Sequence, residues 1–396
     1  MNKIILAGCI AVSVVAVATC TVVCFNVFST PSNLSTTIPL SSTSAEEVTQ
    51  PDTQSESEDN TSDFKLLRNS VSKISLMSAD EYIEEIYPFN SYHPKVLDLG
   101  EEGWNGYRYW VSYTPYPSGF DYYENPHVVA TNDFINYSNI LHFEQPLENY
   151  EKSVRFNSDS CIVYNDDLNR LELIWRYTDY ESDYMALYMR SSEDGTNWSE
   201  SEIFYETYYR ESYDMVSPAI IYEDGTYKAW YVSEYGIYYR ERVDGEWSDS
   251  VETEIKYEDG AHTWHIDVIK TEKGYELLAC GLDDFYDRKH MNLYYASSQD
   301  GMDWGTAEAI LFPSQDSYNW DGGGLYKSTF VYSDGLYYVL YSGRNDYNDI
   351  GVGFLFGKDM HNLFGTDMDY INDGLNSSAQ FWKFIEEYKN FTSDTT

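Results

Sequence analysis

The chain has 396 residues, enough for one large domain or two average ones, and a formal net charge of −41 from 66 acidic and 25 basic residues. A field of that sign repels nucleic-acid phosphates and anionic membrane surfaces, and it excludes both as partners of the folded part. Tyrosine supplies 40 residues, a composition that suits strands and also the walls of carbohydrate sites.

Residues 1–28 come first. Ile4 to Phe28 is almost wholly apolar and follows Lys3. That length spans a bilayer, so the segment reads as an uncleaved signal anchor with Lys3 inside. A lipoprotein signal ending at Cys9 or Cys20 and a cleaved signal peptide are the other readings. The chain beyond it is expected outside the cell, touching the membrane through this segment alone. Residues 29–64 are rich in Ser, Thr, Pro, Glu and Asp, cannot bury a core, and read as a disordered linker.

The folded part is expected over residues 65–370. Short alternating runs broken by Gly, Asp and Asn recur there in five units. They begin "HPKVLDL", "DSCIVYND", "SPAIIYEDG", "HIDVIKTEKG" and "KSTFVYSDG", roughly 50 to 65 residues apart, a size that suits four strands per blade. The expected fold is all-β: a five-bladed β-propeller, whose radial packing leaves only short protected edges. "SSEDGTNW" and "SSQDGMDW" read as Asp-Gly turns with an aromatic packed beside them. Cys161 and Cys280, each in an apolar run, read as buried free thiols. In residues 371–396, Phe381, Phe384, Ile385 and Tyr388 fall at helical spacing and predict a short capping helix over Ala379 to Phe391.

Aligning the inner strands puts one polar residue before each apolar run: His93, Asp159, Ser217, His265 and Lys327. Inner strands begin at one face of a propeller, so these five form a ring at the channel mouth. Such convergence of polar groups marks a ligand site, although water-filled channels are also lined by polar groups. The ends of the second strands add Tyr113, Thr114, Arg176, Ser233, Glu234, Gly281, Asp283 and Arg344 to the same face. Nearby loops add the segment Tyr122 to Pro126, with Glu124, and also Asp214, Trp264, Trp320 and Asp321. Flat rings beside carboxylates and arginines are the composition of a sugar site. Arg176 and Arg344 occupy equivalent positions suited to gripping an anionic group or pairing with an aspartate of the ring. Asp267 falls one residue too deep for the mouth and reads as a buried carboxylate paired with a neighbouring blade. "GGG" at Gly322 to Gly324 precedes a strand and reads as a close-packed loop, not a phosphate cradle.

With these repeats the chain resembles the five-bladed propeller glycosidases, the group that includes glycoside hydrolase families 43, 32 and 130, and family 43 in particular. The resemblance covers about Tyr87 to Gly365 and rests on the repeat layout. It implies hydrolysis of O-glycosyl bonds by inverting carboxylates drawn from the first three blades. Asp159 matches the second of these positions. His93 stands where the base aspartate is expected, and Ser217 where the acid glutamate is expected. The candidate catalytic residues are therefore Asp159, Glu124, Asp214 and Glu234. His93, Arg176, Ser217, Trp264, His265, Trp320, Asp321, Lys327 and Arg344 are the candidate substrate contacts. The implied function is a surface or secreted carbohydrate-active protein that works as a monomer on a poly- or oligosaccharide. A non-catalytic glycan-binding propeller of the same ancestry is the alternative. No cofactor is implied; the acidity is compatible with a structural calcium ion, although no loop has calcium-type spacing.

Overall fold

The computed structural model describes residues 73–74, 76, 91–116, 123–142, 154–208, 215–282, 289–365 and 377–391. The expected signal anchor and linker lie outside these residues, as does Asp214. Five sheets, antiparallel except for one added edge strand, follow one another along the chain as the blades of a propeller. Blade 1 holds β1 (Ser91–Asp98), β2 (Tyr109–Pro115), β3 (His127–Thr131) and β4 (Tyr137–His142). Blade 2 holds β5 (Arg155–Asn165), β6 (Arg170–Asp179), β7 (Tyr184–Ser192) and β8 (Glu202–Tyr208). Blade 3 holds β9 (Val216–Glu223), β10 (Thr226–Ser233) and β11 (Gly236–Val243), edged by β12 (Glu246–Trp247) and β13 (Val251–Glu252). In blade 4, β14 (Glu254–Tyr257) pairs in parallel with the outermost strand of β15 (His262–Thr271), β16 (Gly274–Leu282), β17 (Asn292–Ser298) and β18 (Asp303–Leu311). The inner strand of blade 5 is split into β19 (Gly324–Leu325) and β20 (Thr329–Ser333), both paired with β21 (Leu336–Arg344). β22 (Ile350–Gly357) and β23 (Phe364–Gly365) complete that blade.

The inner strands pack in a closed ring: β1 on β5, β5 on β9, β9 on β15, β15 on β20, and β20 on β1. Alternating side chains of each sheet therefore face the two neighbouring blades, and apolar burial sits between blades. Val96 and Val111 of blade 1 meet Tyr338 and Phe354 of blade 5. Trp110 meets Ile162 and Leu173 across the next seam, and the pattern continues around the ring. Cys161 and Cys280 are buried and free, as expected. The Asp-Gly turns serve these seams. Asp194 and Asp300 each accept two backbone N–H bonds from their own turns. Gly195 and Gly301, both at positive φ, lie against Trp110 and Trp230 of the preceding blades, where a Cβ would come within 2.5 and 2.6 Å of the indole rings.

The seam between blades 1 and 5 carries an additional closure. The expected C-terminal helix is present as α1 (Ser377–Phe391). Phe381 and Ile385 of α1 join the core of that seam, and Trp382 Nε1 donates to the Asp133 carbonyl of blade 1 at 3.1 Å. Ile74, far back in the chain, pairs with Val352 on β22. Both ends of the described chain thus bind the seam that the order of the blades leaves open.

Below the mouth the channel is crossed by an ion pair. Lys95 Nζ of blade 1 lies 2.5 Å from Asp267 Oδ1 of blade 4, and both side chains are almost fully buried. Thr329 of blade 5 donates to the other Asp267 oxygen at 2.7 Å, and the Val268 N–H donates to Oδ1 at 2.9 Å. Asp267 was expected to pair with a neighbouring blade. Its hydroxyl partner is there, but its cation comes from a blade that does not adjoin its own. A buried pair of this kind is costly to break singly, because the remaining charge has no water to turn to. Asp267→Ala should therefore lower stability by roughly 3–5 kcal/mol, and Lys95→Met with Asp267→Leu should recover most of it. Urea midpoints of the three proteins check this; equal losses in single and double variants would contradict it.

Candidate functional site

The mouth is shaped by a repeated irregularity. In each blade the pairing of inner and second strands slips by one residue at the same level: between Tyr92 and Lys95, Ser158 and Cys161, Val216 and Ala219, Thr263 and His265, and across the break between β19 and β20. Each slip is a β-bulge, which bends the strand and re-aims a side chain. His93, Asp159 and Ser217 lie in three of these bulges, each at φ 51°, in the left-handed region that non-glycine residues seldom occupy. Such conformations cost on the order of 1–3 kcal/mol each and persist where the surroundings enforce them, commonly at functional sites. Pro94 and Pro218 follow directly, placed where a missing N–H breaks no ladder bond. The opening of β1, "SYHP", is thus a bulge that turns an imidazole into the mouth.

A pocket of about 720 Å³ opens there. Its polar lining includes His93, Glu124, Ser158, Asp159, Arg176, Glu234 and His265. Aromatic walls come from Tyr116, Phe156, Tyr180, Tyr235, Trp264 and Tyr326. His93 Nδ1 lies 2.8 Å from Thr114 Oγ1 and 3.4 Å from Glu124 Oε1. A hydrogen on Nδ1 directed at these oxygens leaves Nε2 as the basic nitrogen. Nε2 is buried and has no hydrogen-bond partner among the described residues. Asp159 Oδ1 lies 3.6 Å from His265 Nδ1 and 3.8 Å from Lys327 Nζ, while Oδ2 accepts from Ser158 Oγ at 3.3 Å. The two imidazole rings are 5.7 Å apart, so two carboxylate–imidazole pairs stand side by side.

The electrostatics follow from this crowding. Burial alone would push the Asp159 carboxyl up; Lys327, His265, His93 and Arg176 together overcome it and hold the group well below the usual carboxylate range. Burial pushes the His93 imidazole well below the usual histidine range; Asp159 opposes this, and His265 and Lys327 reinforce it. Near neutral pH the site therefore holds an anionic Asp159 beside a neutral His93.

The structure brings Glu124, Asp159, Glu234, His93, Arg176, Trp264 and His265 together at one pocket and places Ser217, Lys327, Trp320, Asp321 and Arg344 outside its lining; Asp283, like Asp214, lies outside the described residues. Ser217 is fully buried, with its hydroxyl 3.4 Å from the Ile266 N–H, so it braces blade 3 against blade 4. Lys327 lies beneath the pocket, where it approaches Asp159 and donates to the Ser160 carbonyl at 3.3 Å. Trp320 and Asp321 are buried beside Tyr341, whose hydroxyl donates to Asp321 at 2.8 Å. They fit there because Gly343 opposes them, where a Cβ would come within 2.7 Å of Asp321. Arg344 sits over the Tyr326 ring, 5.7 Å from its centroid, behind the pocket wall. Glu234 is exposed at the rim, on a two-residue hairpin between β10 and β11. Both of its central residues, Glu234 and Tyr235, have positive φ, an arrangement usually given to Asn-Gly. Among the described residues no cluster of three or more His, Cys, Asp or Glu could hold a metal ion.

Fold and site together define a five-bladed propeller with a deep, aromatic-walled pocket at its channel mouth. No family model matches the chain. It is 27% identical over 300 residues, 61% of its length, to the A type blood N-acetyl-alpha-D-galactosamine deacetylase of Flavonifractor plautii. The chain spans about 38% of the length of that relative. A crystal structure of an N-acetylgalactosamine deacetylase from F. plautii, in complex with blood group B trisaccharide, shares the fold at a TM-score of 0.62. That match has 22% identity and covers 74% of this chain and 95% of that one. Solved neighbours also include family-43 glycoside hydrolases and an alpha-L-arabinanase of Cellvibrio cellulosa complexed with arabinohexaose. The arabinanase matches at 13% identity and a TM-score of 0.49 over 71% of this chain and 96% of that one, a likeness of architecture only.

Lys327 is a cation that lowers both titrations. Lys327→Met should raise the apparent pKa of both Asp159 and His93, because its charge lowers each. Imidazole and carboxylate resonances followed by NMR through a pH titration check this; unchanged midpoints would contradict it.

Proposed function

We propose that this chain is a carbohydrate-directed hydrolase that removes the acetyl group from an N-acetylated sugar. The observation that carries the reading is the pair of carboxylate–imidazole contacts, His93 with Glu124 and His265 with Asp159, in one pocket. Inverting glycosidases need one protonated carboxyl as acid and one carboxylate as base, with room for water between them. Here Asp159 is held anionic, and the residues at the positions of the base aspartate and acid glutamate are His93 and Ser217. An amide asks instead for a neutral base near its carbonyl and for polar groups that receive charge as the carbonyl opens. The likeness to the F. plautii deacetylase supports the same chemistry.

In this reading Tyr326, Trp264 and Tyr235 offer flat faces to the sugar ring. Glu124 and Thr114 hold the His93 tautomer. Nε2 of His93 takes a proton as the oxygen of water adds to the acetamido carbonyl carbon. That proton then passes to the departing nitrogen as the carbon–nitrogen bond breaks, leaving acetate and an amino sugar. Arg176 and His265 face the same space and receive the charge that gathers on the carbonyl oxygen. The working place proposed for the enzyme is the cell exterior, held by the apolar segment Ile4 to Phe28 on its Ser/Thr-rich linker, as a monomer. The length of that segment and the composition of the linker support this.

The test is acetate release from N-acetylgalactosamine-terminated oligosaccharides, with reducing-end release recorded in parallel. Acetate should appear without new reducing ends. His93→Gln and Asp159→Asn should each lower the rate about 10²–10⁴-fold, the usual range for loss of acid–base or charge-stabilising groups. Reducing ends without acetate would replace the proposal with glycoside hydrolysis, and binding without either product would replace it with a glycan-binding module.

A further inference from the structure

Two aromatic rings outside the pocket are mostly exposed among the described residues. Tyr318 and Tyr347 are stacked, with centroids 5.6 Å apart and planes 15° apart, yet they are 74% and 66% exposed. Single exposed aromatics are ordinary on a soluble surface, but a stacked pair on a rigid frame is not. The frame here is dense. Tyr318 follows Asp316, whose carboxylate accepts the Tyr318 N–H at 3.0 Å. Tyr347 follows Asn345, a buried side chain whose oxygen accepts the N–H groups of Tyr347 and Asp349 at 2.9 and 3.0 Å. The Asn345 amide also donates to the Tyr318 carbonyl at 3.4 Å, which ties the two loops together.

The triple glycine supplies the close approach. Gly323 donates to the Arg344 carbonyl at 2.9 Å, and a Cβ on it would come within 2.8 Å of the Asn345 backbone. A Cβ on Gly322 would come within 2.1 Å of the Asp316 carbonyl oxygen. "GGG" is thus the close-packed loop read from the sequence, and its packing sets the two tyrosines beside each other.

The frame also joins the pair to the pocket. Arg344, directly before Asn345, lies over Tyr326, a pocket wall, and the loop that carries Tyr318 leads into the split inner strand of blade 5. Both tyrosines therefore stand on the mouth face. We propose that Tyr318 and Tyr347 form a remote subsite that binds a further, neutral sugar residue of the oligosaccharide whose terminal residue enters the pocket. The proposal rests on the carbohydrate reading above and deepens it: the substrate is a chain, not a free monosaccharide. Tyrosine suits the task because it offers a rigid amphipathic face and has little side-chain freedom to lose. The exposed carboxylates of Asp316 and Asp346 flank the pair, accept hydroxyl hydrogens and repel anionic glycans.

Calorimetric titration of the full chain with N-acetylgalactosamine and with neutral tri- and tetrasaccharides ending in it tests the subsite. The oligosaccharides should bind about tenfold more tightly than the monosaccharide. Tyr318→Ala and Tyr347→Ala should abolish that difference and leave monosaccharide affinity unchanged, whereas Tyr347→Phe should keep it. Equal affinities for long and short ligands in the unaltered chain, or alanine variants that bind as it does, would overturn the proposal. If the monosaccharide does not bind at all, the pocket reading fails separately. The platform is then judged by NMR shifts of the Tyr318 and Tyr347 rings against the same oligosaccharides, and no shift there would overturn it.

Discussion

A one-residue slip, repeated at the same level of every inner strand, is the constraint on which the rest of this site depends. A regular ladder would point alternate side chains into the seams between blades, where burial favours apolar groups. The slip breaks that alternation once per blade, and in blades 1 and 2 it turns His93 and Asp159 into the mouth. It also places His93 and Asp159 in left-handed backbone, so the rest of the ring must hold them there. The seams supply that hold, since each is packed with apolar side chains from two blades.

The charges at the mouth are arranged in two layers. The lower layer is the Lys95–Asp267 pair, closed by Thr329 and the Val268 amide and cut off from solvent. The upper layer is open to the pocket. There one carboxylate, Asp159, faces Lys327, His265, His93 and Arg176. The lower pair joins blades across the channel, and the upper group faces the pocket. Burial, with His265 and Lys327, keeps the His93 imidazole neutral against the pull of Asp159, while Lys327, His265, His93 and Arg176 together keep the Asp159 carboxylate anionic against burial.

Much of this was legible in the sequence because repetition multiplies weak signals. One run such as "CIVY" is ambiguous, but five in equivalent surroundings are not, and they located His93, Asp159 and His265 at the mouth. The slips themselves were hidden: one extra residue between apolar neighbours leaves no compositional trace. Trp320 and Asp321 read as rim residues because they precede an inner strand, but Gly343 opens a space for them in the core. Tyr116, Tyr235 and Tyr326, which line the pocket, were indistinguishable from the other tyrosines of a chain that has 40. Tyr235 had one further signal, its place in a two-residue turn between strands, which becomes meaningful only once the positive φ is seen. Glu124, Asp159, His93 and His265 were all placed at the mouth, but which carboxylate meets which imidazole was not legible, because Glu124 reaches His93 from a loop 31 residues away in the chain and Asp159 and His265 belong to different blades.

Under the proposed function the site cleaves an acyl group from a sugar and leaves the glycan chain whole. Mass spectrometry of an N-acetylgalactosamine-terminated oligosaccharide after incubation with the purified chain tests it directly. The account predicts a product of unchanged chain length that has lost one acetyl group. A shorter glycan that retains its acetyl group would contradict it.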